Sequence, residues 1–205
     1  MANDARKIRF APNGSLFIAP APTGGIGSTV LPTAVGDGIA APVGYKSLGY
    51  IDPAGVTLTP SVETQPVEVW QSAVPVLYNV TKASFSIKAT MQETNELTTE
   101  LFWGSEWKPV MNGQTVTGDY RLDLSSTPDF KELSLVVDWQ QGALRYRCVI
   151  PRAMISDRGA IQLNRTENGK YELTIEALDF NGNLGYVLTN EDITGEGVSN
   201  LPAPA

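Results

Sequence analysis

Along most of this chain apolar and polar residues alternate with period two, the spacing of strands that cover one face. Phe85, Ile87, Ala89 and Met91 alternate with Ser86, Lys88, Thr90 and Gln92. Leu133, Leu135, Val137 and Trp139 point one way, and Ser134, Val136 and Asp138 the other. After the turn at Gln141-Gly142, Leu144, Tyr146, Cys148 and Ile150 alternate with Arg145, Arg147 and Val149, which predicts a hairpin with the preceding strand. Tyr171, Leu173, Ile175 and Ala177 alternate with Glu172, Thr174, Glu176 and Leu178. Shorter strands are expected at 14–20, 45–51, 56–59 and 120–124, and a strand pair at 155–163. Asn112-Gly113, Asn168-Gly169 and Asn181-Gly182 mark turns, the second with the signature of a hairpin.

One segment has helical spacing. Thr94 or Asn95 can cap it, Glu96 and Glu100 suit its first turns, and Leu97, Leu101 and Phe102 form its apolar stripe. Gly104 ends it. Residues 20–44 hold many Pro and Gly and few large side chains, so they read as a long loop. Residues 60–75 carry Pro60, Pro66 and Pro75 around Trp70, which predicts an edge strand or an extended arm. The expected fold is mainly β: a β-sandwich or partial barrel with one flanking α-helix and extended loops and arms. It divides into an N-terminal arm (1–14), one β domain (15–189) with the loop 20–44 and the arm 60–75, and a C-terminal arm (190–205).

Composition narrows the chemistry. The 205 residues suit a single domain. The net charge of −7 is the wrong sign for a protein that grips nucleic-acid phosphates. There is no histidine, which removes Ser-His-Asp and Cys-His catalysis and the commonest zinc ligand. Cys148 is the lone cysteine and sits in a strand pattern, so it reads as a buried structural thiol. Gly24-Gly25-Ile26-Gly27-Ser28-Thr29 lacks the lysine and the strand–helix context of a phosphate loop. Asp179-Phe180-Asn181-Gly182-Asn183 fails as a calcium loop and reads as a tight turn. Glu93, Glu96 and Glu100 are explained by the helix dipole rather than by glycoside cleavage. No cofactor and no metal is expected. No stretch reaches the ~18 apolar residues of a membrane span, and no apolar run follows the charges of 1–10, so neither an anchor nor a signal peptide is expected. An enzyme is therefore disfavoured. So is a carbohydrate-binding adhesion sandwich, because the aromatics are dispersed.

Gly49-Tyr50, Gly55-Val56-Thr57-Leu58-Thr59-Pro60 and Trp70-Gln71-Ser72 occur in order, followed by the strand 83–92 and the helix from Glu93-Thr94-Asn95 to Phe102-Trp103-Gly104. This series resembles the major tail proteins, or tail tube subunits, of long non-contractile-tailed phages of actinobacteria, over residues 45–180. The resemblance implies homohexameric rings stacked into a tube that passes DNA without binding it specifically. It also implies a virion location after a stay in the host cytoplasm. The partners it implies are a tape-measure protein, tail assembly chaperones, a tail terminator and baseplate proteins. Another ring protein, a tail terminator or an injection-system inner tube, is the alternative. Trp70, Gln71 and Val67 on the arm and Val35 and Ile39 in the long loop are the candidate contacts between subunits. Lys88, Glu172, Thr174 and Glu176 are the candidate channel wall.

Overall fold

The computed structural model describes residues 5–22, 28–36 and 40–193. Ile39, Gly24 to Gly27 and the outer parts of both terminal arms lie outside the described residues. The strands are β1 (Asn13–Pro20), β2 (Lys46–Ser47), β3 (Ile51–Val67), β4 (Leu77–Met91), β5 (Trp107–Asn112), β6 (Thr115–Leu122), β7 (Leu133–Gln141), β8 (Leu144–Arg158), β9 (Tyr171–Ala177) and β10 (Tyr186–Thr189). One helix, α1 (Glu96–Trp103), follows β4. An antiparallel sheet runs in the order β2-β1-β7-β8-β9-β4-β3, with β10 also paired to β8. β5 and β6 form a separate hairpin.

β8 belongs to both halves of this sheet. Its first part pairs with β7 and β10, and its second part with β9. Pro151 is tolerated inside a central strand because the β7–β8 register shifts between Leu133 and Leu135, so its missing N–H falls at the irregularity. The pair expected at 155–163 is instead the end of β8, which stops at Arg158. Asn168-Gly169 is not a tight hairpin turn: it lies within the strandless connection 159–170 that joins the antiparallel pair β8 and β9. Asn181-Gly182 does turn the chain, with φ of 54° and 81° and a bridge between Phe180 and Asn183.

The inner faces of both halves share one core, which includes Leu16, Ile87, Met91, Leu135, Ile150 and Leu173. Cys148 lies in it, and burial pushes its thiol up to about 11. α1 covers one side. The Asn95 side chain accepts a hydrogen bond from the Thr98 N–H at 2.8 Å, and Gly104 at φ 66° donates back to the Glu100 carbonyl. The helix buries Thr98, Thr99 and Phe102, whereas Leu97 and Leu101 of the expected stripe are only half-buried. The threonines can turn inward because their hydroxyls donate to the carbonyls of Leu48 and of Asn95.

The outer face of β1, β7, β8 and β10 is covered too. There Phe17, Ala19, Val136 and Val149 are buried with Tyr45, which follows the long loop, and Leu31 of the loop packs against them. Asp138 and Arg147, partners across β7 and β8, form a buried bidentate pair at 2.8 and 2.6 Å. Arg147 also donates to the carbonyls of Ala34 (3.0 Å) and Ala40 (3.3 Å). Tyr186 donates to the Pro32 carbonyl, and the Tyr45 hydroxyl meets that of Ser134 at 2.7 Å. The loop is thus strapped to the sheet by its own carbonyls, a mode of attachment that a count of apolar side chains does not register. Near the N-terminus, Arg9 pairs with Glu191, and the Phe10 N–H donates to Gln141.

Two expectations follow. Arg147→Met strands the Asp138 carboxylate in a buried site, at a cost of about 3–5 kcal/mol. Thermal unfolding should fall by roughly 10 °C, and Asp138→Leu combined with Arg147→Met should recover most of the loss. A double variant no more stable than the single one would assign the loss to packing. Asp52 is held at about 2 by hydrogen bonds from Lys170 (2.7 Å), the Ala54 N–H and Gln92. Folding therefore favours its ionised form, and its contribution is complete above the ordinary carboxylate value of 3.8 and disappears as pH falls through about 2. Chemical denaturation of Asp52→Asn should show a shallower loss of stability across that window.

Candidate functional site

The ladder between β3 and β4 does not stop where the core stops. Pro60 and Phe85 face one another at the core's margin, and pairing continues through Ser61–Ser84 and Glu63–Lys82 to Val67–Leu77. At about 3.3 Å per residue the hairpin reaches roughly 25 Å past its own core. A register shift between Glu63 and Thr64 changes which residues share a face near the end. The arm carries exposed apolar side chains on both faces: Val62, Val67, Leu77, Tyr78 and Val80. Its tip adds Val69, Trp70, Val74 and Val76, with Trp70 100% exposed. Hydrogen bonds from Val76 N–H to Val67 and from Ser72 N–H to Val69 fix the tip, so the indole is presented on an ordered turn.

A second surface is polar. Register places Thr57 beside Lys88 and Lys88 beside Thr174, then Thr59 beside Ser86 and Ser86 beside Glu176. Glu172 is opposite Thr90, and its carboxylate meets Lys88 at 3.0 Å. The partners of these residues in sequence, Ile87, Ala89, Leu173 and Ile175, fill the core, so the alternation of each strand puts hydroxyls and a few balanced charges outward. β3 forms the margin of this face, and its outer edge pairs with no strand among the described residues.

Between α1, the start of β7 and the segment 123–132 lies an open groove of about 720 Å³. Its floor includes Ile18, Leu97, Leu101, Phe130, Leu133 and Ile155. The walls are fastened to the helix: the Trp107 indole donates to Thr99 at 2.7 Å, and Arg158 donates to the Phe102 carbonyl at 2.9 Å while covering the Phe130 ring at 4.6 Å. No group of acidic or cysteine side chains able to hold a metal occurs among the described residues.

The family model for phage tail tube proteins matches this chain over residues 1–199. The chain belongs to that family. It is a structural protein of the virion tail rather than an enzyme. No curated protein is similar to it in sequence. A chain from the virion of a native gene transfer agent particle is similar in structure, at 11% identity and a TM-score of 0.39, covering 72% of this chain and 89% of that one. A chain from the baseplate of the anti-feeding prophage is similar at 10% identity and a TM-score of 0.44, covering 92% and 97%.

In this tail tube protein the four wall candidates Lys88, Glu172, Thr174 and Glu176 come together on one sheet face. Trp70, Gln71 and Val67 share the end of the arm, with Gln71 exposed. Val35 lies apart from them, half-buried on the strap over the opposite part of the sheet. The arm's other apolar residues escaped the sequence reading, although consecutive apolar positions at Val76-Leu77-Tyr78 signal a strand with no polar face. The groove had no signal in sequence, because its lining comes from distant segments.

Trp70 has no contact with the body of its own domain to lose. Trp70→Ala should leave the melting temperature of dispersed protein unchanged within about 2 °C. The concentration at which the protein assembles should rise on the order of tenfold or more. A collapse of thermal stability would make Trp70 part of the fold.

Proposed function

We propose that this protein is the subunit that polymerises into the tail tube. Six copies form a ring, rings stack, and the polar face of β3, β4, β9 and the second part of β8 lines the channel through which DNA leaves. The observation that carries this reading is the uncovered face of four adjacent strands, dominated by hydroxyls near its centre, which ends at the open edge of β3. Four strands from each of six copies give about 24 strands. At ~4.8 Å spacing and a tilt near 40° they close a barrel with a backbone diameter of roughly 48 Å. Side chains reduce this to a channel on the order of 30 Å, wide enough for a duplex.

The chemistry of the face suits passage rather than retention. Lys88 is neutralised by Glu172, and Lys82 by Glu63, so few cations are left to hold phosphates. The net charge of −7 adds a general repulsion. In this reading the apolar arm and the strap loop contact neighbouring copies. The subunit is made in the host cytoplasm, and a tape-measure protein, assembly chaperones, a tail terminator and baseplate proteins are its further partners.

Negative-stain microscopy of concentrated protein tests the assembly: rings or tubes are expected, and a dispersed monomer at every concentration would reject it. The channel assignment is tested with Glu172→Lys and Glu176→Lys together. Both positions are partly exposed, so folding and tube formation should persist. DNA release should slow at low salt and recover as salt screens the new attraction. Release unchanged at all salt concentrations would put this face elsewhere.

A further inference from the structure

The arm and the groove are complementary, and they cannot meet within one molecule. Ile155 on the groove floor pairs with Ile175 of β9, and Ile175 with Ile87 of β4. Ile87 lies roughly 33 Å along β4 from Leu77, where the arm's tip begins. The intervening ladder with β3 is paired throughout, apart from one register shift, so the tip cannot fold back to its own groove. Any occupant of the groove that comes from an arm must belong to a second copy.

We propose that the groove beside α1 is the socket for the Trp70 tip of a neighbouring copy. The proposal rests on the reading of the protein as a self-assembling subunit, and it names which surfaces join. Its chemistry is matched on both sides. The tip presents an ordered indole with Val69 and Val74, and the groove offers an apolar floor and room for all three. Glu68 is the only charged residue of the tip. Lys46 and Lys108 stand at the groove and make no ion pair among the described residues, whereas Lys131 beside them is already paired with Glu106. Glu100 and Asp129 also line the groove without an ion pair among the described residues, so its charges roughly balance, and the match between plug and socket is one of apolar surface and shape rather than of charge.

The contact joins different patches of two identical chains, so each copy has one plug and one socket. Used head-to-tail, such an interface closes a ring or extends a filament, whereas two copies that exchanged arms reciprocally would close a dimer. A protein that must polymerise needs an interface of this kind.

The sole native cysteine makes a direct test possible. Cys148 is buried in the core and its thiol stays protonated, so an introduced cysteine reacts alone. Ala73→Cys marks the tip without touching Trp70, and Ser125→Cys marks the groove wall. The two single variants, one isotopically labelled, are mixed, assembled and oxidised, and the bridged peptides are identified by mass spectrometry. Bridges between position 73 of one copy and position 125 of the other should exceed by at least tenfold those from Ala73→Cys mixed with Thr57→Cys, which marks the polar face. Trp70→Ala placed in the Ala73→Cys copy should remove that excess. Rings or tubes that form without the 73–125 bridge overturn the socket and leave the assembly reading intact. If no rings form, the bridge is sought in the concentrated, dispersed protein: its presence supports the socket while rejecting the ring, and its absence overturns both.

Discussion

A paired β-ladder is stiff, and here it continues past the core that stabilises it. The apolar side chains of the β3–β4 arm have no surface of their own molecule within reach. They stay largely exposed to water, so further burial of them is available only against another surface. Isolated two-stranded hairpins are marginal in water, which makes an extended apolar arm an awkward element for a monomer and a natural one for a polymer. The architecture of the rest of the chain follows from needing a firm base for this lever.

That base is the sheet joined through β8. Because one strand belongs to both halves, Ile150 and Ile155 can pack into a single core with Leu135 and Leu173. The strap over the outer face is fixed differently, by Arg147 and its carbonyl acceptors, with Asp138 balancing the charge. Apolar packing holds the inside and a satisfied polar network holds the outside. A buried ion pair adds little net stability by itself, but it demands one arrangement of the loop. The polar face of β4 and β9 is partly exposed, bordered at its Thr90 and Glu172 end by the segment 159–170, and Lys88 on it is paired with Glu172.

Much of this was legible in the sequence. Period-two alternation located β4, β7, β8 and β9, because each has one face in the core. Asn95 and Gly104 bounded α1, because their roles are local backbone chemistry. Co-location of Lys88 with Glu172, Thr174 and Glu176 followed from polarity alone once β4 and β9 proved to be neighbours. What failed were features set by distant contacts. The place of Pro151 inside β8 depends on a register shift against β7, and the burial of Thr98 depends on the Leu48 carbonyl. The strap depends on Arg147, whose position in an alternating strand suggested only an outward-facing charge. The groove required five separate stretches of chain to converge.

Hydroxyl-radical footprinting of the side chains, compared between dispersed and assembled protein, reads out whether the arm is covered. Trp70 and Tyr78 start exposed on the arm, and Tyr50 is an exposed residue away from it. Burial of the arm by a second copy predicts that oxidation of Trp70 falls at least tenfold on assembly, with Tyr78 following it. Assembled protein in which Trp70 is oxidised as fast as in the dispersed state would contradict the account, because its most exposed apolar side chain would still face water.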